Sequence, residues 1–420
     1  MPRPMEAGSP RRSARLRRAA PYLVAAAWLA LGCANLVRGL DHPAVAYRPW
    51  AFRHHSYSDL LAMTGDRYLN GGRPVPYLED RIEYPVLLGL LLWAPSFLPG
   101  GQAGHFAGSV LFLGACLLAS VWLLRRLPGT DPWWLAATPA IAYYGALNWD
   151  LLPIALLLAA LLALERGRAT AAGALTAIGV SAKLWPIALV PAAVAALAAR
   201  RRWELLVRLG AAFALVILAL NVPLAWLAPE NWSWFFRFNG ARGAENSVWE
   251  AFRLSDPALL NALTGGLLAA AAAAAAGVAW RASGRSSGSA PEPAPEPAPE
   301  PEAKAAQARA VRLGTAFVLV AWIATNKVWS PQYALYAFTA GALVAAPGWL
   351  FVALSIASAV DYHLAFEVRA ERGVLWFFDG WYYGEEVARS LVYAALAAWI
   401  LREMVRLART GGRASAAEGA

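Results

Sequence analysis

Apolar runs of membrane-spanning length recur along nearly the whole chain, and they constrain its fold more than any other feature. A helix that crosses a bilayer needs roughly 20 mostly apolar residues, because its backbone polar groups must be satisfied internally where no water reaches them. Runs that meet or approach this length lie at 20–37, 105–124, 133–147, 151–164, 169–182, 185–199, 205–227, 258–280, 311–326, 332–346, 348–361 and 386–401. With 59% apolar residues and 20 Trp, the chain reads as an all-α integral membrane protein, a bundle of about 12 transmembrane helices.

Charge orients the bundle. A net charge of +10 on a soluble protein would suit nucleic acid, but here Arg and Lys fall in short clusters beside apolar runs. That is the positive-inside pattern, so no nucleic-acid partner is expected. The Arg-rich start "MPRPMEAGSPRRSARLRRAA" puts the N-terminus in the cytoplasm. The run behind it is longer than the apolar stretch of a signal peptide, so it is predicted to be an uncleaved first helix. An even number of crossings returns the C-terminus to the same side. The chain then divides into a basic N-terminus (1–18), a core (19–280) with a long first outer loop (38–104), an inner linker (281–310), C-terminal helices (311–404) and a tail (405–420). The linker repeat "PEPAPEPAPEPE" is low-complexity and extended. The Pro-bounded run at 85–100 is predicted to lie in or re-enter the outer leaflet, and the run at 169–199 to turn at "SAKLWP" (181–186). Cys33 and Cys116 both lie in apolar runs, and no disulfide or metal framework is implied.

Residues able to do chemistry gather in the outer loops and turns. In "SYSDLLAMTGDRYLNGG" (56–72), helical spacing over 57–70 puts Leu60, Leu61, Met63 and Tyr68 on one face, as in a surface amphipathic helix. Asp59, two residues after Tyr57, reads either as an N-cap or as a reacting acid, and Asp66 as a solvated charge. "PYLEDRIEYPV" (76–86) holds Glu79, Asp80 and Glu83, the last leading straight into an apolar run. "GALNWDLLP" (145–153) sets Asn148 and Asp150 between two short runs, where an acid caps the next helix or lines a cavity. Lys183 of "SAKLWP" reads as a snorkelling lysine or as a phosphate ligand. "NKVWSPQYALY" (326–336) adds Lys327, Gln332 and Tyr333, and "NWSWFFRFNGARG" (231–243) adds Arg237, Asn239 and Arg242 among aromatics. Such aromatics form an interfacial belt or suit sugars and phosphates. Asp59, Glu83 and Asp150 together would make an oxygen-rich divalent-cation site, the less favoured reading.

A transporter would carry ionisable residues near the middle of its spans, yet these spans are nearly free of charge. Polar machinery at the outer surface, over an apolar base, suits a substrate with a polar head and a lipid tail. A lipid-linked-saccharide flippase and a non-catalytic scaffold are the rival classes, and a scaffold would tolerate loss of Asp59.

The blocks "YSDL", "GGRPVPYLEDRIEYPVLLG", "NWDLLPIALLLAALLALERGR", "SAKLWPIALV", "WFFRFNGARG" and "NKVWSPQYALY", in this order and spacing, resemble glycosyltransferase family 87 over roughly residues 20–400. That is the polyprenol-phosphate-mannose-dependent mannosyltransferase family of the GT-C superfamily. The resemblance implies a GT-C fold, with surface helices and a catalytic acid in the first outer loop and short helices around a lipid-facing cavity. It implies Asp59 as general base, Asp150 as the second acidic turn and Lys183 near the donor phosphate. Lys327, Arg237, Gln332 and Tyr333 join Lys183 as donor-binding candidates; Tyr57, Glu83, Asn148 and Asp150 support the base. The expected reaction is inverting transfer of a sugar, mannose foremost, from a polyprenyl phosphate to a hydroxyl of a lipid or glycan acceptor. It is expected at the outer face of the cell membrane, among membrane lipids and without a cofactor. "SPQY" departs from the His-containing version of the mannosyl members, so arabinofuranose or glucose stays open as the sugar.

Overall fold

The computed structural model describes residues 10–42, 44–63, 67–68, 72–284, 300–370 and 375–410. Most of the Pro/Glu/Ala repeat, most of the tail and Asp66 lie outside the described residues, while the ends of the expected linker, 281–284 and 300–310, are helical and continue the neighbouring spans. Among those described, the structure is helical and has no strand. The helices are α1 (Pro10–Leu36), α2 (Ala44–Arg53), α3 (Asp59–Met63), α4 (Val86–Trp93), α5 (Gly101–Leu124), α6 (Trp133–Ala136), α7 (Ala140–Tyr144), α8 (Leu151–Glu165) and α9 (Ala169–Ala182). They continue with α10 (Val190–Ala199), α11 (Trp203–Leu227), α12 (Pro229–Ala241), α13 (Val248–Ala251), α14 (Pro257–Gly284), α15 (Glu300–Thr325), α16 (Ala334–Val344), α17 (Gly348–Arg369) and α18 (Leu375–Thr410).

Among the described residues, six helical stretches are long and apolar enough to cross a membrane: Leu16–Asp41, Gly101–Leu124, Trp203–Leu227, Pro257–Gly284, Glu302–Thr325 and Gly348–Arg369. Each coincides with an expected span, and together they fit a multi-pass membrane protein. The expected span 386–401 lies within the continuous helix α18, and others take different forms. The run at 133–147 breaks into α6 and α7, because Pro132 and Pro139 each start a new short helix. The 15 residues of α8 extend only about 22 Å, short of a hydrocarbon core of about 30 Å. α8 is buried along almost its whole length, from Leu151 to Ala163. It is an interior helix, walled by protein on its sides.

Small residues make the interior close. α9 is nearly all Ala, Gly, Ser and Thr, and a Cβ on Gly173 would sit 2.1 Å from the Leu209 carbonyl oxygen of α11. Small side chains let helix backbones approach where apolar burial gives no driving force between helices in lipid. The run at 169–199 turns where expected: Lys183 is extended (φ −152°, ψ 146°) and ends α9, and Pro186 and Pro191 start the helical stretch that follows. α3 corrects the surface-helix expectation. Among the described residues of 57–70, Asp59–Met63 is α-helical, and Leu60, Leu61, Met63 and Tyr68 are buried in the main core instead of lying on a membrane surface. Cys33 and Cys116 are free thiols.

Candidate functional site

The corner before α3 is stapled to the turn between α7 and α8. Ser58 Oγ donates to the Ala146 carbonyl at 2.6 Å, and the Asp59 backbone N–H donates to the Leu147 carbonyl at 2.8 Å. Ser58 also caps α3, its Oγ accepting the Leu60 N–H at 3.2 Å. The capping role therefore belongs to Ser58, and the Asp59 carboxylate is left for other partners. One oxygen accepts the Tyr57 hydroxyl at 2.8 Å, and the other accepts the Asn148 side-chain amide at 2.6 Å. The same amide nitrogen donates to the Tyr84 hydroxyl at 2.9 Å, so Asn148 ties the acid to the start of α4. Burial raises the Asp59 carboxyl above its ordinary value. The Tyr57 and Asn148 hydrogen bonds and the charge of Lys183 pull it part of the way back.

Behind this acid lies a buried ion pair. Lys183 Nζ donates to both Asp150 oxygens, at 2.8 and 2.7 Å, and the Tyr336 hydroxyl donates to Asp150 at 3.0 Å. Asp150 stands at the N-terminus of α8 but makes no side-chain cap bond, so its partner is the lysine and not the helix end. Lys183 does not snorkel: it is 7% exposed, and its ammonium sits 5.7 Å from the Tyr84 ring centroid. The pair depends on the extended break at Lys183, which turns the side chain from the end of α9 toward the start of α8.

In front of both lies a cavity of about 490 Å³. Tyr57, Asp59, Glu83, Lys183, Lys327, Gln332 and Tyr333 all line it, although they come from segments far apart in sequence. Asn148 and Asp150 do not line it and are bonded to Asp59 and Lys183, which do. Lys327 is held by the 240–242 turn, donating to the Gly240 and Arg242 carbonyls at 3.2 and 2.7 Å. Burial and the neighbouring Arg242 lower its ammonium below the ordinary value. Arg237 is not brought to the cavity. It donates to the Glu230 carbonyl at 2.8 Å on its own helix, while Asn239 and Arg242 line the cavity in its place. The end of α12 explains this, since Arg237 lies within the helix while Arg242, just past its last residue, is extended (φ −65°, ψ 139°).

The three carboxylates proposed as a cation site do not converge on one. Glu83 is paired with Arg67 at 2.8 Å, Asp150 with Lys183, and Asp59 with its two hydrogen-bond donors. Among the described residues, no three His, Cys, Asp or Glu side chains are grouped to hold a metal ion.

Several lining residues escaped the sequence. Tyr84 follows Glu83 directly, and Phe366 and Arg369 come from the end of α17. Only the charged end of that apolar run could have marked Arg369. Phe52, Tyr84 and Phe366 give the polar cavity aromatic walls. A second, mostly apolar groove of about 480 Å³ adjoins it and shares Tyr84, Pro85, Leu184 and Phe235. Its far wall is α11, through Phe213, Ile217, Leu218 and Val222. That helix is strongly exposed elsewhere along its length, with Leu215 68% and Trp226 84% accessible. A polar chamber thus opens into an apolar groove on a helix that faces outward.

The model of one protein family, described as Glycosyltransferase family 87, matches residues 83–292. No curated protein and no solved structure matches the chain.

Proposed function

Because the chain belongs to glycosyltransferase family 87, we propose that this cavity is the active site of a membrane glycosyltransferase that uses a polyprenyl-phosphate sugar. The sugar is mannose in this reading, and the acceptor is a hydroxyl of a lipid or glycan. One observation carries the proposal: a half-buried carboxylate, raised above its ordinary value and held by two donors, faces a polar cavity that runs into an apolar groove. The cavity suits a sugar phosphate and the groove suits its isoprenoid tail.

Asp59 takes the proton of the acceptor hydroxyl as that oxygen attacks the anomeric carbon. The bond from the anomeric carbon to the phosphate oxygen breaks, and its electron pair leaves with the phosphate. One displacement inverts the anomeric centre. Tyr57 and Asn148 hold the carboxylate in one orientation, so that its remaining lone pairs serve the acceptor. Lys183, Lys327 and Arg242 are the cations available to the departing phosphate. Tyr333 and Gln332 form the wall beside Lys327. In the same proposal the bundle is of GT-C type with about 12 crossings, counting short helices, and the cavity faces the outside of the cell membrane with both termini in the cytoplasm.

The test is transfer by the purified protein from radiolabelled polyprenyl phosphates carrying mannose, glucose or arabinofuranose. A product of inverted configuration, formed best from the mannose donor and lost in Asp59→Asn, is expected. Movement of an intact donor across proteoliposome membranes, with no bond cleaved, would replace the enzyme by a flippase.

A further inference from the structure

A cavity of about 250 Å³ opens at the other end of the helices. α8 starts beside Asp150 and ends at Glu165, which lines this third cavity, about 22 Å along the helix axis. Lys304, another lining residue, lies near the start of α15, whose far end leads to Lys327. Three cations border the cavity: Arg200 closes α10, Arg202 precedes α11, and Lys304 faces them. Glu165 is its one acid, and Arg312 already pairs with it. Among the described residues no ion pair engages Arg200, Arg202 or Lys304, and Arg200 is held instead by Gln307 at 3.0 Å. The walls are apolar, made by Leu164, Ala193, Leu197, Leu205 and Val311.

The surroundings identify the ligand class. Trp203, next to Arg202, is 57% exposed, and Val207, one turn on, is 66% exposed. An exposed indole at a helix start, followed by an exposed apolar helix face, is the pattern of the head-group level of a bilayer. Unpaired cations there attract phosphate, and an apolar wall adds nothing for a free anion but accommodates an acyl chain.

We propose that this cavity binds the head group of an anionic phospholipid. Its phosphate rests on Arg200, Arg202 and Lys304, and the start of an acyl chain lies along Leu197, Leu205 and Val311. The site is separate from the proposed active site and does not depend on the sugar-transfer reading.

The test is native mass spectrometry of the full chain in detergent, titrated with phosphatidylglycerol or phosphatidylcholine. The wild type should retain phosphatidylglycerol at least about tenfold more tightly than phosphatidylcholine. Arg200→Gln/Arg202→Gln/Lys304→Gln should weaken phosphatidylglycerol on the order of a hundredfold, as loss of three interfacial charges implies. Arg208→Gln, an exposed arginine paired with Glu204 on the same helix, should change nothing. If the triple variant does not fold, Lys304→Gln alone, at an exposed position, should still weaken retention severalfold, and Lys304→Arg should restore it. Equal retention by the wild type and the charge-removal variants overturns the proposal. So does displacement of the lipid by millimolar inorganic phosphate, which would make the site one for free anions.

Discussion

Replacing Asp59 by Asn separates chemistry from structure, because the two effects differ in size. Each carboxylate oxygen has one donor, from Tyr57 at 2.8 Å and from Asn148 at 2.6 Å. An amide keeps one acceptor oxygen, which can still meet Asn148, and its NH₂ can donate to a Tyr57 hydroxyl that turns to accept. The structural cost is therefore at most one hydrogen bond, about 0.5–1.5 kcal/mol, offset by removal of a carboxylate whose ionisation burial opposes. The chemical cost is the whole of general-base assistance, about 10²–10⁴-fold in rate, or about 2.7–5.4 kcal/mol. In a transfer assay at saturating donor and acceptor, Asp59→Asn should lose at least a hundredfold in kcat with KM and Tm nearly unchanged. pH gives an independent readout. The basic form exists only above the raised carboxyl value, so wild-type kcat/KM should fall on an acid limb lying above 3.8. The stability sign is opposite. The folded chain binds this proton more tightly than the unfolded chain, so the stability linked to Asp59 is complete below 3.8 and is lost as pH rises through the folded value. The Asn variant should lack that decline. Turnover within about tenfold of wild type would refute the reasoning and reduce Asp59 to a residue that anchors the corner to Asn148.

Four further outcomes are expected. Tyr57→Phe removes a hydrogen bond that favours the ionised acid, so the acid limb should move to higher pH with only a modest fall in plateau kcat; an unmoved limb in the pH–rate profile would uncouple Tyr57 from Asp59. Lys183→Gln leaves Asp150 buried without its cation and should cost about 3–5 kcal/mol in denaturant unfolding, whereas Lys183→Gln/Asp150→Asn should recover most of that. Ala225→Trp, in the apolar groove, should raise KM for a long-chain donor by about tenfold and leave a short-chain donor unaffected, as loss of about 1.4 kcal/mol of tail burial requires. Chelation should leave the transfer rate unchanged, since Asp59, Glu83 and Asp150 are each engaged by protein partners; a loss reversed by added magnesium would count against this.

Much of this organisation was legible because polar residues are scarce in the chain. An Asp, Lys or Asn between apolar runs stands out, which is how Asp59, Asn148, Asp150, Lys183 and Lys327 were found although four segments supply them. What they do to one another was not legible. Sequence spacing offered helix capping for Asp59 and Asp150 and snorkelling for Lys183. Tertiary contacts decided otherwise, since Ser58 caps α3 and the break after Ala182 aims Lys183 at Asp150. Periodicity also found the apolar face of α3 but could not say whether lipid or protein covers it. The motif offered Arg237 as the donor-binding cation, and the end of α12 gives that place to Arg242 instead. The aromatic wall from α17 was hidden because Phe366 resembles any other apolar residue of a span.

The buried pair also explains how one acid in a crowded site can act as a base. Lys183 favours ionised Asp59 and Asp150 disfavours it, and the two are bonded to each other, so their effects on Asp59 largely oppose. Burial is then the dominant influence and leaves a carboxyl that holds a proton more tightly than an ordinary Asp, which makes it the stronger base for proton abstraction. The same pairing limits what Lys183 can give a phosphate. Its third N–H remains for a phosphate oxygen, but its charge is already neutralised by the Asp150 carboxylate, which would also repel a phosphate brought beside it. Lys327 is under no such constraint, since its partners are carbonyls and not a carboxylate. Lys183→Gln/Asp150→Asn therefore divides the roles: stability restored with donor affinity still weakened marks Lys183 as a phosphate ligand, and restoration of both assigns that work to Lys327 and Arg242.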